Sequence, residues 1–297
     1  MNKRAMILAS MVIVIWASSF AGVKASLLGG YTPAHLVLVR FLVASSVFIL
    51  YALMPGVKLS VPTKRDTIRI IILGFIGITV YHCGLTFGVE TITAGSASMI
   101  VGSAPIFTAI IASIVLKERM PLFSWIGLGV GFIGIVLITF GTSDTAFSLS
   151  QGTLYVILAT VATSFFFVFQ KPLFTRYKPI ELTAYFTWAG TVPMLVFLPG
   201  LGTNLAQATT SAHLAAIFVG VFPAAIAYAM WATALSYGNA GSVTTMMYLE
   251  PAIAIIIAWV WLDEWPNTLS LIGGSIAISS VFIVNLLGRK RRHKQPL

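Results

Sequence analysis

Apolar residues in this chain come in long unbroken blocks, not in the alternation of a strand or the one-faced stripe of a surface helix. Blocks at 5–24, 34–53, 68–88, 92–116, 122–140, 152–171, 182–199, 213–237, 241–262 and 268–288 are separated by charges and by Gly or Pro. Each is near the ~20 residues an α-helix needs to cross ~30 Å of hydrocarbon. Lipid offers no partner for backbone N–H and C=O groups, so blocks of this length are predicted to be helices. The expectation is an all-α integral membrane protein with ten transmembrane helices. The closest division lies between the third and fourth blocks, where Thr91, Ile92 and Thr93 leave almost no loop. Met1-Asn2-Lys3-Arg4 ahead of the first block resembles the start of a signal peptide. The block runs on to Val23 without a small-x-small cleavage site, so it is read as a retained first helix.

Charge placement gives the orientation. With the N-terminus inside, every Lys and Arg except Lys24 and Arg40 falls on a segment that would be cytoplasmic. The opposite loops carry Glu90, Asp144, Asp263 and Glu264. Cytoplasmic loops are the ones enriched in Lys and Arg, so both termini are predicted to be cytoplasmic.

The chain also repeats itself. At an offset of 146, residues 74–137 align with 220–283 without a gap. Ala94-Gly95-Ser96 falls on Ala240-Gly241-Ser242, Pro105 on Pro251, Leu116 and Glu118 on Leu262 and Glu264, and Tyr31-x-Pro33 on Tyr177-x-Pro179. This divides the chain into two five-helix repeats, 5–140 and 152–288, followed by a basic tail at 289–297. Five is odd, so the second copy must insert upside down relative to the first. The exchange of Lys117 and Arg119 for Asp263 and Trp265 agrees with equivalent loops facing opposite sides.

Composition narrows the function. The chain is 58% hydrophobic and 9% charged, with a mean hydropathy of +0.96, too apolar for one water-soluble core. The net charge of +10 lies between apolar blocks, which argues against a nucleic-acid surface. A single cysteine, Cys83, excludes an intramolecular disulfide and a Cys-based metal site. No zinc-binding His-Glu-x-x-His, Gly-rich phosphate loop or loop cluster of carboxylates and histidines is present, so neither an enzyme nor a bound metal or cofactor is expected.

Several motifs, in this order, resemble the EamA family of the drug/metabolite transporter superfamily over essentially the whole chain. They are Trp16-Ala17-Ser18-Ser19-Phe20, Arg40-Phe41, Ala104-Pro105 through Leu116-Lys117-Glu118, and Leu249-Glu250-Pro251 through Leu262-Asp263-Glu264. The resemblance implies a ten-helix basket with a central cavity in the cell inner membrane. It implies export of small metabolites by alternating access, driven by an ion gradient or by substrate exchange. Amino acids come first among the substrates, with nucleotide-like metabolites as the alternative and a channel or receptor as a reading from another class. The partners implied are the small-molecule substrate, membrane lipid, and a proton or counter-substrate.

An ionisable group inside a span costs on the order of 2.5–3.5 kcal/mol on insertion scales, so each one requires a partner, a cavity or a role. Arg40 offers a bidentate fork for a carboxylate, alone or with Lys24 and His35. Equally, Arg40 could bond helix carbonyls or pair with Glu90, and Lys24 could snorkel to the headgroups. Glu250 is the one carboxylate placed deep in a span, where it could couple transport to protons or satisfy carbonyls freed by Pro251. His82, beside Tyr81, could shuttle a proton or bridge two helices. Pro105 and Pro251 are equivalent mid-block prolines and therefore candidate hinges, or else packing kinks. Trp16, Tyr81, Trp188, Tyr228, Trp231 and Tyr248 lie inside blocks and are candidate cavity walls or core, whereas Trp259, Trp261 and Trp265 suit the interfacial belt. Gly127, Gly129, Gly131, Gly134, Gly273 and Gly274 permit close helix packing, within the chain or across a homodimer. The basic tail from Arg289 to Lys294 is read as a topology lock that could touch anionic lipid.

Overall fold

The computed structural model describes residues 2–91, 97, 100–118, 120–142, 151–262 and 268–284. Asp144, Asp263, Glu264, Arg119, Ala94-Gly95-Ser96, Trp265, the side chains of Trp259 and Trp261, and the tail from 289 lie outside the described residues. Every regular element among the described residues is helical. The first half contains α1 (Lys3–Leu28), α2 (Pro33–Ala52), α3 (Lys64–Thr91), α4 (Ala104–Val115) and α5 (Leu122–Thr142). The second contains α6 (Gln151–Phe169), α7 (Pro179–Met194), the short α8 (Leu201–Gln207), α9 (Thr210–Tyr237), α10 (Ala240–Thr244), α11 (Leu249–Leu262) and α12 (Thr268–Phe282). Six helical stretches, based on α1, α2, α3, α6, α7 and α9, are long and apolar enough to cross a membrane, and shorter apolar helices accompany them. Large hydrophobics such as Leu50, Leu158 and Val196 stand exposed on outward faces, as a lipid-facing surface requires.

The repeat seen in sequence is also a repeat of geometry. Both α3 and α9 have 28 residues and their bounds differ by the same 146. Each is interrupted near its middle by a π-helical turn, at Phe75–Val80 and Phe222–Ile226. Threonine caps each N-terminus: Thr63 Oγ1 accepts from Asp66 N and Thr209 Oγ1 from Ala212 N. Pro33 and Pro179 occupy the first turns of α2 and α7, where a missing N–H costs nothing.

Contacts between the halves are reciprocal. A Cβ on Gly74 of α3 would lie 2.7 Å from Phe186 O of α7, and one on Gly220 of α9 would lie 2.9 Å from Arg40 O of α2. Likewise α1 packs on α9 while α6 packs on α3. Gly29 of α1 meets Ala212 and Ala5 meets Gly238, so α1 and α9 are antiparallel; Gly77 meets Phe166 and Gly88 meets Val156, so α3 and α6 are as well. The C-terminal ends of α1 and α3 therefore lie at one end of the bundle, and those of α6 and α9 at the other. Some residues touch their own counterparts: Ser45 Oγ bonds Thr191 Oγ1 at 2.9 Å and His82 Nε2 bonds Tyr228 OH at 2.9 Å, each pair 146 apart. Contacts of that kind lie on a local two-fold axis. The glycine series is used within the chain, with Gly127, Gly131 and Gly134 of α5 pressed against Val284, Ser280 and Ala277 at the α12 side.

The two repeat prolines differ from the mid-helix kinks expected. Pro105 sits in the first turn of α4 after a break at Ser103, and Pro251 in the first turn of α11 after a 3₁₀ segment, Thr245–Tyr248. The break at Ser103 is one residue long, and Pro251 lies within the helical run 240–262 at its change from 3₁₀ to α, so each proline marks an interruption of regular α-helix.

Candidate functional site

Where the two halves meet at the middle of the bundle, they enclose a small chamber of about 30 Å³. Helix α1 contributes Trp16, Ser19 and Phe20, one turn apart on a single face. Arg40 enters from α2, and Tyr81, His82 and Leu85 come from α3 just after its π turn. The second half adds Phe167, Tyr228, Met247 and Glu250, with Tyr228 two residues beyond the π turn of α9. A π turn inserts an extra residue into the helix and recurs at functional sites; here one precedes each member of the central His82–Tyr228 pair.

Aromatic contacts fix the walls. Trp16 donates from Nε1 to Pro223 O at 3.1 Å, inside the second π turn. Its ring lies 5.5 Å from that of Tyr228 and 5.0 Å from Trp231, which in turn lies 5.6 Å from Phe167. His82 is held 4.6 Å from Tyr81 and 4.5 Å from Phe41, centroid to centroid. Its Nδ1 has no partner.

Two ionisable side chains face this chamber without an ion pair. Arg40 is 4% exposed, its Nε has no hydrogen-bond partner, and it joins no ion pair among the described residues. The Glu90 partner considered from sequence is therefore not engaged. Glu250, 8% exposed, likewise forms no ion pair there.

Among the described residues, the chamber shares its lining with a cavity at one end of the bundle. A first vestibule of about 520 Å³ lies beside the C-terminal ends of α1 and α3 and shares Ser19, Phe20, Arg40 and Leu85 with the chamber; Lys24, Tyr31 and Glu90 line its mouth. At the other end an opposite vestibule of about 820 Å³ is lined by Glu118, Lys171, Tyr177, Thr233 and Ser236, among others. The two are related by the repeat: Tyr31 and Tyr177, Pro33 and Pro179, and Glu90 and Ser236 are counterparts. None of the residues lining the opposite vestibule lines the chamber. Along α9, Trp231 comes between Tyr228 in the chamber and Thr233 in that vestibule, and it is 1% exposed.

Counterpart tyrosines tie each end. Tyr31 OH bonds His213 Nδ1 at 2.8 Å beside the first vestibule, and Tyr177 OH donates to Asp66 Oδ2 at 2.9 Å beside the opposite one. Arg176 reinforces the second tie at 2.6 Å from Asp66 Oδ2. Lys171 pairs with Glu118, which also accepts from Ala240 N, joining the ends of α4 and α6 to the start of α10.

Of the residues picked out by sequence, Trp16, Arg40, Tyr81, His82, Tyr228 and Glu250 converge on the chamber. Trp231 packs behind its wall. Trp188 instead donates to Ser45 O at 3.2 Å beside Tyr185, and Tyr248, fully buried, donates to Leu128 O at 3.1 Å. Ser19, Phe20, Leu85, Phe167 and Met247 were not singled out. The helical spacing from Trp16 and His82 could have found Ser19, Phe20 and Leu85; nothing in the sequence marks Phe167 or Met247.

Comparison with known proteins agrees with this architecture. The model of the EamA-like transporter family matches residues 3–140 and 150–286. The chain is 40% identical over 276 residues to the uncharacterized transporter YdfC of Bacillus subtilis, covering 93% of this chain and 89% of that protein. It is 33% identical over 288 residues to a probable terminal-alkyne amino-acid exporter of Streptantibioticus cattleyicolor, covering 96% and 95% respectively. A crystal structure with 19% sequence identity superposes with a TM-score of 0.80 over 99% of this chain and 100% of that one, a likeness of fold.

Proposed function

Because this chain belongs to the EamA-like transporter family, we propose that it is a secondary carrier exporting small metabolites, amino acids foremost, across the cell inner membrane. It is a multi-pass membrane protein and its relatives are transporters, not enzymes. In this reading ten helices span the bilayer as two inverted five-helix repeats, 5–140 and 152–288, with both termini and the 289–297 tail cytoplasmic. The first vestibule then faces outward and the opposite one the cytoplasm.

The main support is a charged chamber at the centre of the bundle, reached from one vestibule and separated from its counterpart by Trp231 and Phe167. Inverted repeats around a central site are the usual architecture of alternating access. A channel would need a continuous path. Trp16, Arg40, Tyr81, His82 and Tyr228 form the substrate cavity, and Glu250 is the coupling group, since a carboxyl in an apolar chamber can take up a proton on one side and yield it on the other. The relative named as an amino-acid exporter supports amino acids as cargo. Pro105 and Pro251, each at an interruption of regular α-helix, are the points about which α4 and α11 swing.

The test is uptake and counterflow of a labelled amino-acid panel in proteoliposomes, with and without a pH gradient, for wild type and Glu250→Gln. Saturable, gradient-driven transport that Glu250→Gln reduces at least tenfold is the expected result. Failure of the whole panel would remove the amino-acid assignment and turn attention to nucleotide-like metabolites.

A further inference from the structure

Arg40 and Glu250 share a chamber yet form no ion pair with each other or with any described residue. Burying an ionisable group without a partner in a low-dielectric site is costly, so placing a guanidinium and a carboxyl group in one small space with no ion pair between them needs a reason. Packing symmetry does not supply one. At the repeat offset the counterpart of Arg40 is Phe186 and that of Glu250 is Ala104, so the scaffold is built at the same places without charge. Both exceptions fall on the chamber wall.

Size adds a second constraint. A cavity of about 30 Å³ has room for about two waters by the ~15 Å³ needed for one, the scale of a small polar head and not of a whole substrate. The adjoining vestibule is far larger, about 520 Å³, and Phe20, Val23, Leu27, Leu85 and Val89 give its walls apolar surface.

We propose that Arg40 and Glu250 are the two halves of a receptor for a zwitterionic head group. The substrate carboxylate sits on the Arg40 guanidinium and its ammonium on the Glu250 carboxylate, while the side chain stays in the first vestibule. This rests on the carrier reading above and narrows it. A zwitterion compensates both ions at once. An amine, a simple carboxylate or an N-acylated amino acid leaves one ion unpaired in a dry site, which a polar pocket rejects strongly. Because the side chain lies in an open apolar vestibule, its length matters little.

The experiment is competition against labelled L-leucine binding to the full-length protein in nanodiscs. Competitors are leucinamide, which lacks the carboxylate, isocaproate, which lacks the amine, N-acetyl-leucine, and an alanine-to-norleucine series. In wild type, loss of either charge is expected to weaken competition at least ~100-fold, and the side-chain series to span less than ~10-fold. Arg40→Gln should make leucinamide as good a competitor as leucine, and Glu250→Gln should do the same for isocaproate. The wild-type analogue series alone decides the matter if a variant fails to fold. Leucinamide or isocaproate competing as well as leucine would overturn the zwitterion receptor; amino-acid transport in proteoliposomes would then still uphold the carrier. Absence of binding and transport for every amino acid tried would overturn the zwitterion receptor and the amino-acid assignment together, leaving the carrier to be tested with nucleotide-like metabolites.

Discussion

The residues that matter most here are those whose polar atoms the fold leaves waiting. His82 uses Nε2 on Tyr228 OH and leaves Nδ1 without a partner, and Arg40 Nε is unpartnered as well. By contrast Trp188 and Tyr248, which looked equally suited to a cavity, direct N–H or O–H at backbone carbonyls of neighbouring helices and are satisfied. This distinction was not legible in the sequence, because it depends on helix faces that a nearly uniform apolar block does not reveal. Arg40 and Glu250 were legible, since an ion among apolar residues stands out by its cost alone. Removing the Tyr228 hydroxyl should expose the value of the His82 contact. Tyr228→Phe keeps the ring against Trp16 but strands His82 Nε2. It is expected to lower stability by on the order of 1 kcal/mol, the usual scale for an interhelical hydrogen bond in a membrane protein. Thermal unfolding in detergent would show this as a lowered midpoint; an unchanged midpoint would mean the bond contributes nothing to stability.

At the scale of elements, glycine at two equivalent places allows the central helices to cross backbone to backbone. Gly74 lets α3 approach α7, and Gly220 lets α9 approach α2. A side chain at either site would run into a carbonyl, which cannot move aside as a rotamer can. Gly74→Val and Gly220→Val are therefore expected to cost about 1–3 kcal/mol each, by similar amounts. Gly129→Ala, where nothing lies within 4 Å, should be neutral. Denaturation midpoints of the three variants check this, and equal losses in all three would mean a general effect of removing glycine from helices. Much of this level was written in the sequence: the 146-residue offset anticipates the matching bounds of α3 and α9 and the paired prolines that begin α2 and α7. The π turns were not anticipated, because a one-residue bulge has no fixed signature in an apolar run. Nor was the placement of Pro105 and Pro251 at interruptions of regular α-helix, since the breaks before them, at Ser103 and at Thr245–Tyr248, carry no charge or loop composition to mark them.

For the whole molecule, the local two-fold axis has a mechanical consequence. Two halves of related sequence interlock through reciprocal contacts, yet among the described residues the chamber shares lining residues with one vestibule and none with its counterpart. In the proposed carrier, exchanging the conformations of the two halves would reverse that connection and give a state open to the other side. Thr86 and Ala232 report on it directly. They are counterparts at the repeat offset, both are 3% exposed, and Thr86 lines the first vestibule. With Cys83 replaced by serine, Thr86→Cys should react with a small membrane-impermeant thiol reagent supplied at the first vestibule. Ala232→Cys should be protected from reagent supplied at either side. If the proposed carrier works by exchange of the two halves, Ala232→Cys should become reactive from the opposite side during turnover on a substrate gradient, while labelling of Thr86→Cys slows by several-fold. If transport proceeds while Ala232→Cys stays protected, the halves do not trade conformations, and the second opening must form along some path other than the counterpart of the first.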